Sequence, residues 1–169
     1  AVHVAEEAGL DFFGFGEHHT PSMPLSSPTA LVNAAAASTS SIKLGTTVTV
    51  LSTDEPIRVF EQLATAAAIA PGRIDVVAGR GSSDITFSLF DHDPGDYDML
   101  FASKLELLVA VNGHEHLTWN GPHRTRPRGP RRDDVVLHDR RAHRTLPSRR
   151  SSVFSYARWR SGVARLSRS

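Results

Sequence analysis

Apolar residues gather in three short runs that begin at Leu10, Ile42 and Ile74 and so recur every 32 residues. Each run closes on Gly, His, Thr or Arg. A βα unit of an eightfold barrel takes roughly 31 residues, so the interval predicts parallel strands joined by single helices. The continuous apolar character of Leu10 to Phe15 predicts a strand covered on both faces. Ile42 to Leu51 carries β-branched residues at six of ten positions and reads as the second strand. Ile74 to Ala78 is the third.

Helix signals fill the intervals. Val2 to Ala8 reads as the end of an amphipathic helix. Ser26-Ser27-Pro28 offers a capping hydroxyl and a first-turn proline ahead of the Ala-rich Thr29 to Ser38. Ser52 to Pro56 is a second capped start, leading into Ile57 to Ile69, and Pro71-Gly72 stops that helix. Ser82 to Gly95 reads as a long loop, and Asp96 as the cap of a helix with Phe101, Leu105 and Leu108 on one face. Beyond Trp119 neither period continues.

Length and charge change this picture. At 169 residues the chain falls short of the roughly 250 of a complete barrel. Its opening at Ala1, inside a helical pattern, reads as a cut. No charged-then-apolar leader and no apolar run of membrane-spanning length occurs, and Cys is absent, which fits a cytoplasmic protein. Residues 1–120 hold 5 Lys/Arg against 15 Asp/Glu, a net of −10, whereas residues 121–169 hold 14 Arg against 3 Asp, a net of +11. The expected organisation is a partial barrel domain over 1–120 and a basic, low-order tail over 121–169. The tail has no Lys and reads as out-of-frame translation or a damaged gene, so a frame shift near codon 122 should restore barrel-like text. A three-stranded remnant would leave backbone groups open on both outer strands.

Candidate chemistry lies where the strands end. Glu17-His18-His19 follows the first run, where an imidazole can bond a cofactor or move a proton near neutral pH and Glu17 can orient one ring. A structural loop histidine is the plainer alternative. Neighbouring side chains of an extended segment point to opposite sides, which disfavours a shared metal ion. Gly79-Arg80-Gly81-Ser82 pairs flexible glycines with a planar cation suited to phosphate or carboxylate; a Gly turn with a solvated Arg explains it equally well. Thr46, Thr47 and Thr49 are by default strand formers. His114-Glu115-His116 offers two same-side nitrogens, but no third ligand can be named, and no metal is expected.

Taken in order, Glu7 to Asp11, Glu17-His18-His19, Ser27-Pro28, Leu44 to Leu51, Pro56 to Gln62, Gly72-Arg73, Gly79 to Ser82, Phe87 to Phe90, Asp96 to Phe101 and Thr118-Trp119 resemble the luciferase-like monooxygenases, flavin-dependent enzymes on a TIM-barrel fold. The resemblance covers residues 5–120 and implies an incomplete TIM (β/α)8 barrel fragment; the Arg-rich C-terminal tail, which departs from the family pattern, is expected to be disordered. It implies that His18 lines the flavin ring and is needed for activity. It places Thr46, Thr47, Val48 and Gly81 against the cofactor, with a non-prolyl cis peptide at Thr47-Val48, and Arg80 near the flavin phosphate. The implied cofactor is reduced FMN, with the deazaflavin F420 as the alternative used by hydride-transferring relatives. A small organic substrate and O2 are the implied reactants, with a flavin reductase as a source of reduced flavin. A rival reading takes the Arg-rich tail as a nucleic-acid-binding element; sparse aromatic interleaving and the lack of a known binding fold weigh against it.

Overall fold

The computed structural model describes residues 1–81, 84–114, 116, 117, 119, 135, 136, 155–160 and 163–167. It is an α/β arrangement in which β1 (Phe12–Phe15), β2 (Lys43–Val50) and β3 (Ile74–Gly79) run parallel and adjacent. α2 (Pro28–Ser38) links β1 to β2, and α3 (Pro56–Ile69) links β2 to β3. α1 (Val2–Glu7) precedes β1; α4 (Asp84–Leu89) and α5 (Tyr97–Gly113) follow β3. The core forms where α2, α3 and α5 cover the sheet, through Val32, Leu44, Val59, Leu63, Val76 and Leu108, each fully buried. Val76 and Ala78 are buried like Leu44, as strands clothed by helices require.

The first strand starts later than its apolar run. Leu10 donates its amide to Ala5 O at 3.0 Å while Gly9, at φ +74°, turns the chain out of α1. Leu10 is thereby committed to the helix end and is 56% exposed. Helix starts also differ from expectation. Ser27 stands at the N-cap of α2 without a side-chain cap bond, and Asp96 does likewise at α5. Glu55 caps α3 by accepting from Arg58 N at 2.9 Å.

The long loop predicted over Ser82 to Gly95 contains α4 and a 3-10 turn, Pro94–Asp96. The pattern hides α4 because it exposes Ile85 and Leu89; burial of Phe87, whose ring centroid lies 5.5 Å from that of Tyr97, holds it in place.

Two polar clamps tie the connections down. Arg73 donates to Ala36 O, Thr39 O, Thr39 Oγ1 and Ile42 O at 2.9–3.1 Å, neutralising the carbonyl-rich end of α2. Glu6 Oε1 accepts the amides of Ser40, Ser41 and Ile42 at 2.8, 2.6 and 3.1 Å. These amides hold its carboxyl down at about 2, from an ordinary 4.5.

The C-terminal region also contributes strands. β6 (Ser155–Arg160) and β7 (Val163–Ser167) pair antiparallel, and β7 adds antiparallel to β3, giving the order β1-β2-β3-β7-β6. The edge of β3 is therefore covered rather than open, because its free backbone groups are a template for another strand. β4 (His116–Leu117) pairs with β5 (Val135–Val136) in a separate two-stranded sheet. The aperiodic stretch Arg124 to Arg150 lies, apart from Val135 and Val136, outside the described residues. Among the described residues, no helix is long and apolar enough to cross a membrane.

Candidate functional site

Parallel pairing brings the carboxyl ends of β1, β2 and β3 side by side, the face on which barrel enzymes carry their chemistry. The register of β2 against β3 shifts between Thr47 and Thr49, and the Thr47–Val48 peptide is cis. Glycines make room for this irregularity on both neighbours. A β-carbon on Gly14 would stand 2.3 Å from Thr47 Cγ2, and one on Gly79 would stand 2.5 Å from Val48 Cγ2. The bulged dipeptide thus fills the space that two missing side chains leave.

The two histidines part as an extended segment requires. Glu17 and His19 turn inward, with side chains 5% and 9% exposed, whereas His18 is exposed. His18 stays near the strand ends: a β-carbon on Gly16 would lie 3.7 Å from His18 Nε2 and 3.6 Å from Thr47 O. Glu17 orients His19, not His18. Its Oε1 lies 2.8 Å from His19 Nε2, and its Oε2 accepts the Val50 amide at 2.8 Å. Burial pushes the Glu17 carboxyl above its ordinary range despite these bonds. The sequence pointed to Glu17 as able to orient one ring but not to which; the period-two spacing of Glu17 and His19 is the signal that could have decided it.

A cavity of about 230 Å³ is lined by Glu17, His19, Thr29, Asp54, Gln62 and Phe90, among others. The His19 ring meets Phe90 edge-on at 5.0 Å. Burial also raises the Asp54 carboxyl, and it lowers the Lys104 ammonium, which donates to Ser52 O at 2.7 Å.

Arg80 stands at the end of β3 with its side chain 30% exposed. Its guanidinium pairs with Asp98, itself 82% exposed, and lies 5.0 Å from the Tyr97 ring centroid. Tyr97 Oη donates to Gly81 O at 2.6 Å, which ties the start of α5 to the glycine turn, where Gly81 has φ +80°. Thr46 sits differently from its neighbours. It is fully buried, and its hydroxyl donates to Val77 O at 3.2 Å, so its polar atom serves the pairing of β2 with β3. Thr49 Oγ1 and Ser52 Oγ are buried with no hydrogen-bond partner among the described residues.

The structure therefore gathers His18, Thr47, Val48, Arg80 and Gly81 at one end of the sheet and keeps the Thr46 hydroxyl inside it. Of the His114-Glu115-His116 motif, Glu115 lies outside the described residues, and His114 Nδ1 bonds Ala110 O. No group of His, Asp or Glu among the described residues is placed to hold a metal ion.

The profile of the luciferase-like monooxygenase family matches residues 1–139. A luciferase-like monooxygenase of Escherichia coli K12 is 34% identical over 99 residues, 56% of this chain and 30% of that protein. Monooxygenase RslO1 from Streptomyces bottropensis superposes with a TM-score of 0.68 at 24% identity, over 73% of this chain and 39% of its own. The oxygenating constituent of 3,6-diketocamphane monooxygenase from Pseudomonas putida, solved in complex with FMN, gives 0.67 at 18% identity, over 72% of this chain and 34% of its own. The chain thus spans between a third and two fifths of the solved structures it resembles.

Proposed function

The chain belongs to the luciferase-like monooxygenase family, and from that premise we propose that residues 1–120 form the flavin-facing part of a barrel enzyme using reduced FMN and O2 on a small organic substrate. By ancestry it is a flavin-dependent oxidoreductase on an incomplete TIM-barrel fold. The observation that carries the finer reading is the convergence of His18, the Thr47–Val48 bulge and Arg80 at adjoining strand ends.

A flavin fits these residues. The Thr47–Val48 segment lies at the strand-end face beside Gly16 and His18, and Arg80 supplies a fork for a phosphate dianion. Asp98 holds that fork now, and an exposed pair of this kind is weak enough to yield to a dianion. Reduced flavin supplies the electrons by which one atom of O2 enters the substrate and the other leaves as water. Arg80 anchors the phosphate, and Tyr97 steadies Gly81 beside it. Thr47 and Val48 would lie against the bound flavin, and His18 would hold or move a proton beside it. A flavin reductase would supply the reduced cofactor.

The test is His18→Ala in the flavin-loaded protein. Turnover should fall by about a hundredfold while FMN affinity stays within a few-fold of wild type. Normal turnover contradicts the role of His18. Binding of F420 in place of FMN, with hydride transfer and no use of O2, contradicts the choice of cofactor.

A further inference from the structure

We propose that Glu17 is the positioning residue that sets His18 against the Thr47–Val48 segment, an inference that rests on the reading of His18 given above. The geometry is a clamp across two strand ends. Val50 lies just beyond the bulge of β2, and Glu17 lies just beyond the end of β1. One carboxylate accepts the Val50 amide on one oxygen and meets His19 Nε2 on the other, both at 2.8 Å. The link joins residues 33 apart in sequence and fixes the distance between the loop and the bulge.

It also fixes which histidine faces outward. Drawing Glu17 and His19 into the interior leaves His18, on the alternate side, no direction but the strand-end face. The Phe90 ring backs His19, and the His18 amide donates to Leu25 O at 2.8 Å, so the segment is held on both sides of the clamp. The charged and titratable groups around it are His19 on the same loop and Asp54 after β2, with Lys104 of α5 beyond Asp54. An ionised Glu17 accepts from His19 Nε2–H. A glutamine there keeps an acceptor for Val50 but donates its amide to His19 Nε2, which requires the other ring tautomer. Glu17→Gln therefore separates position from charge.

The experiment uses nuclear magnetic resonance on the flavin-free chain, comparing wild type, Glu17→Gln and Glu17→Ala. Wild type should show a cross-relaxation contact between the His18 ring and the Gly16 α-protons, beside which His18 Nε2 lies. Glu17→Gln should keep it while the ring nitrogens of His19 exchange protonation. Glu17→Ala should lose it, with the amides of β3 and α5 unmoved. In the flavin-loaded protein Glu17→Ala should lower turnover by about a hundredfold, with FMN affinity within about twofold, and Glu17→Gln should restore most of the loss. Persistence of the His18 contact in folded Glu17→Ala overturns the proposal. If Glu17→Ala does not fold, an unchanged His19 tautomer in Glu17→Gln, or loss of its His18 contact, does the same. Failure of wild type to bind flavin overturns the functional reading instead and leaves the ring contact to decide the clamp.

Discussion

Val48 occupies the space that a side chain on residue 79 would need: its Cγ2 lies 2.5 Å from the position a β-carbon on Gly79 would take. The bulge of β2 and the glycine at the end of β3 are therefore one packing unit. Gly79→Ala forces the Val48 side chain to move and should cost about 1–3 kcal/mol, the usual range for an overpacked interior. Gly45→Ala meets something harder, since its β-carbon would lie 2.2 Å from the Asp75 carbonyl oxygen, a backbone atom. Denaturant unfolding should rank Gly45→Ala as the more damaging of the two. The reverse order would show that the backbone of β3 yields more readily than the bulge.

Arg73 makes the junction between α2 and β2 depend on one guanidinium. Its four bonds satisfy three carbonyls and a hydroxyl between the end of α2 and the start of β2. Arg73→Ala should destabilise the chain by roughly 2–4 kcal/mol, since a charged donor is lost and buried acceptors remain. Arg73→Lys should recover less than half of this, because a point charge cannot span the fork. Recovery to wild-type stability with lysine would show that charge alone matters there.

Two carboxylates should give opposite pH signatures. Glu6 has a lowered folded-state value, so its contribution to stability is present above 4.5 and is lost as pH falls through about 2. The stability difference between wild type and Glu6→Gln should be constant above 4.5 and shrink below it. Glu17 has a raised value, so its favourable contribution is present below 4.5 and is lost as pH rises through its folded-state value. Glu17→Gln should gain on wild type as pH rises from 4.5. Parallel slopes in the two comparisons would contradict the assignment.

The sequence made the strand succession legible because three apolar runs at a 32-residue interval must each be buried, and only parallel strands with helical crossovers bury them so. Turn chemistry was less informative. Ser27 and Asp96 have the residue types of caps but make no cap bond, whereas Glu55, a poorer cap by type, makes one. The short helix α4 was hidden because it buries Thr86 and Phe87 while leaving Ile85 and Leu89 exposed, a pattern that matches neither helical nor strand periodicity. At the site, the succession of strand ends revealed His18 and Arg80 as candidates, since each follows a strand, whereas Thr47 and Val48 lie inside β2 and were reached only through the family resemblance. The Glu17 clamp was not legible, because its partner Val50 is a backbone amide 33 residues away and an amide leaves no trace in the side-chain pattern. For the same reason Thr46 could not be told from Thr47 until the pairing of β2 with β3 showed which hydroxyl the sheet consumes.

The central claim, that these strand ends hold a flavin by its phosphate, is tested most directly by titrating the chain and its Arg80→Ala variant with FMN and with riboflavin, which lacks the phosphate. Losing one charge-assisted contact costs about 1.5–3 kcal/mol, so FMN should bind wild type roughly ten- to a hundredfold more tightly than riboflavin does. Arg80→Ala should erase that preference and leave riboflavin affinity unchanged. Equal affinity of wild type for the two flavins, or an undiminished preference for FMN in Arg80→Ala, would contradict the account.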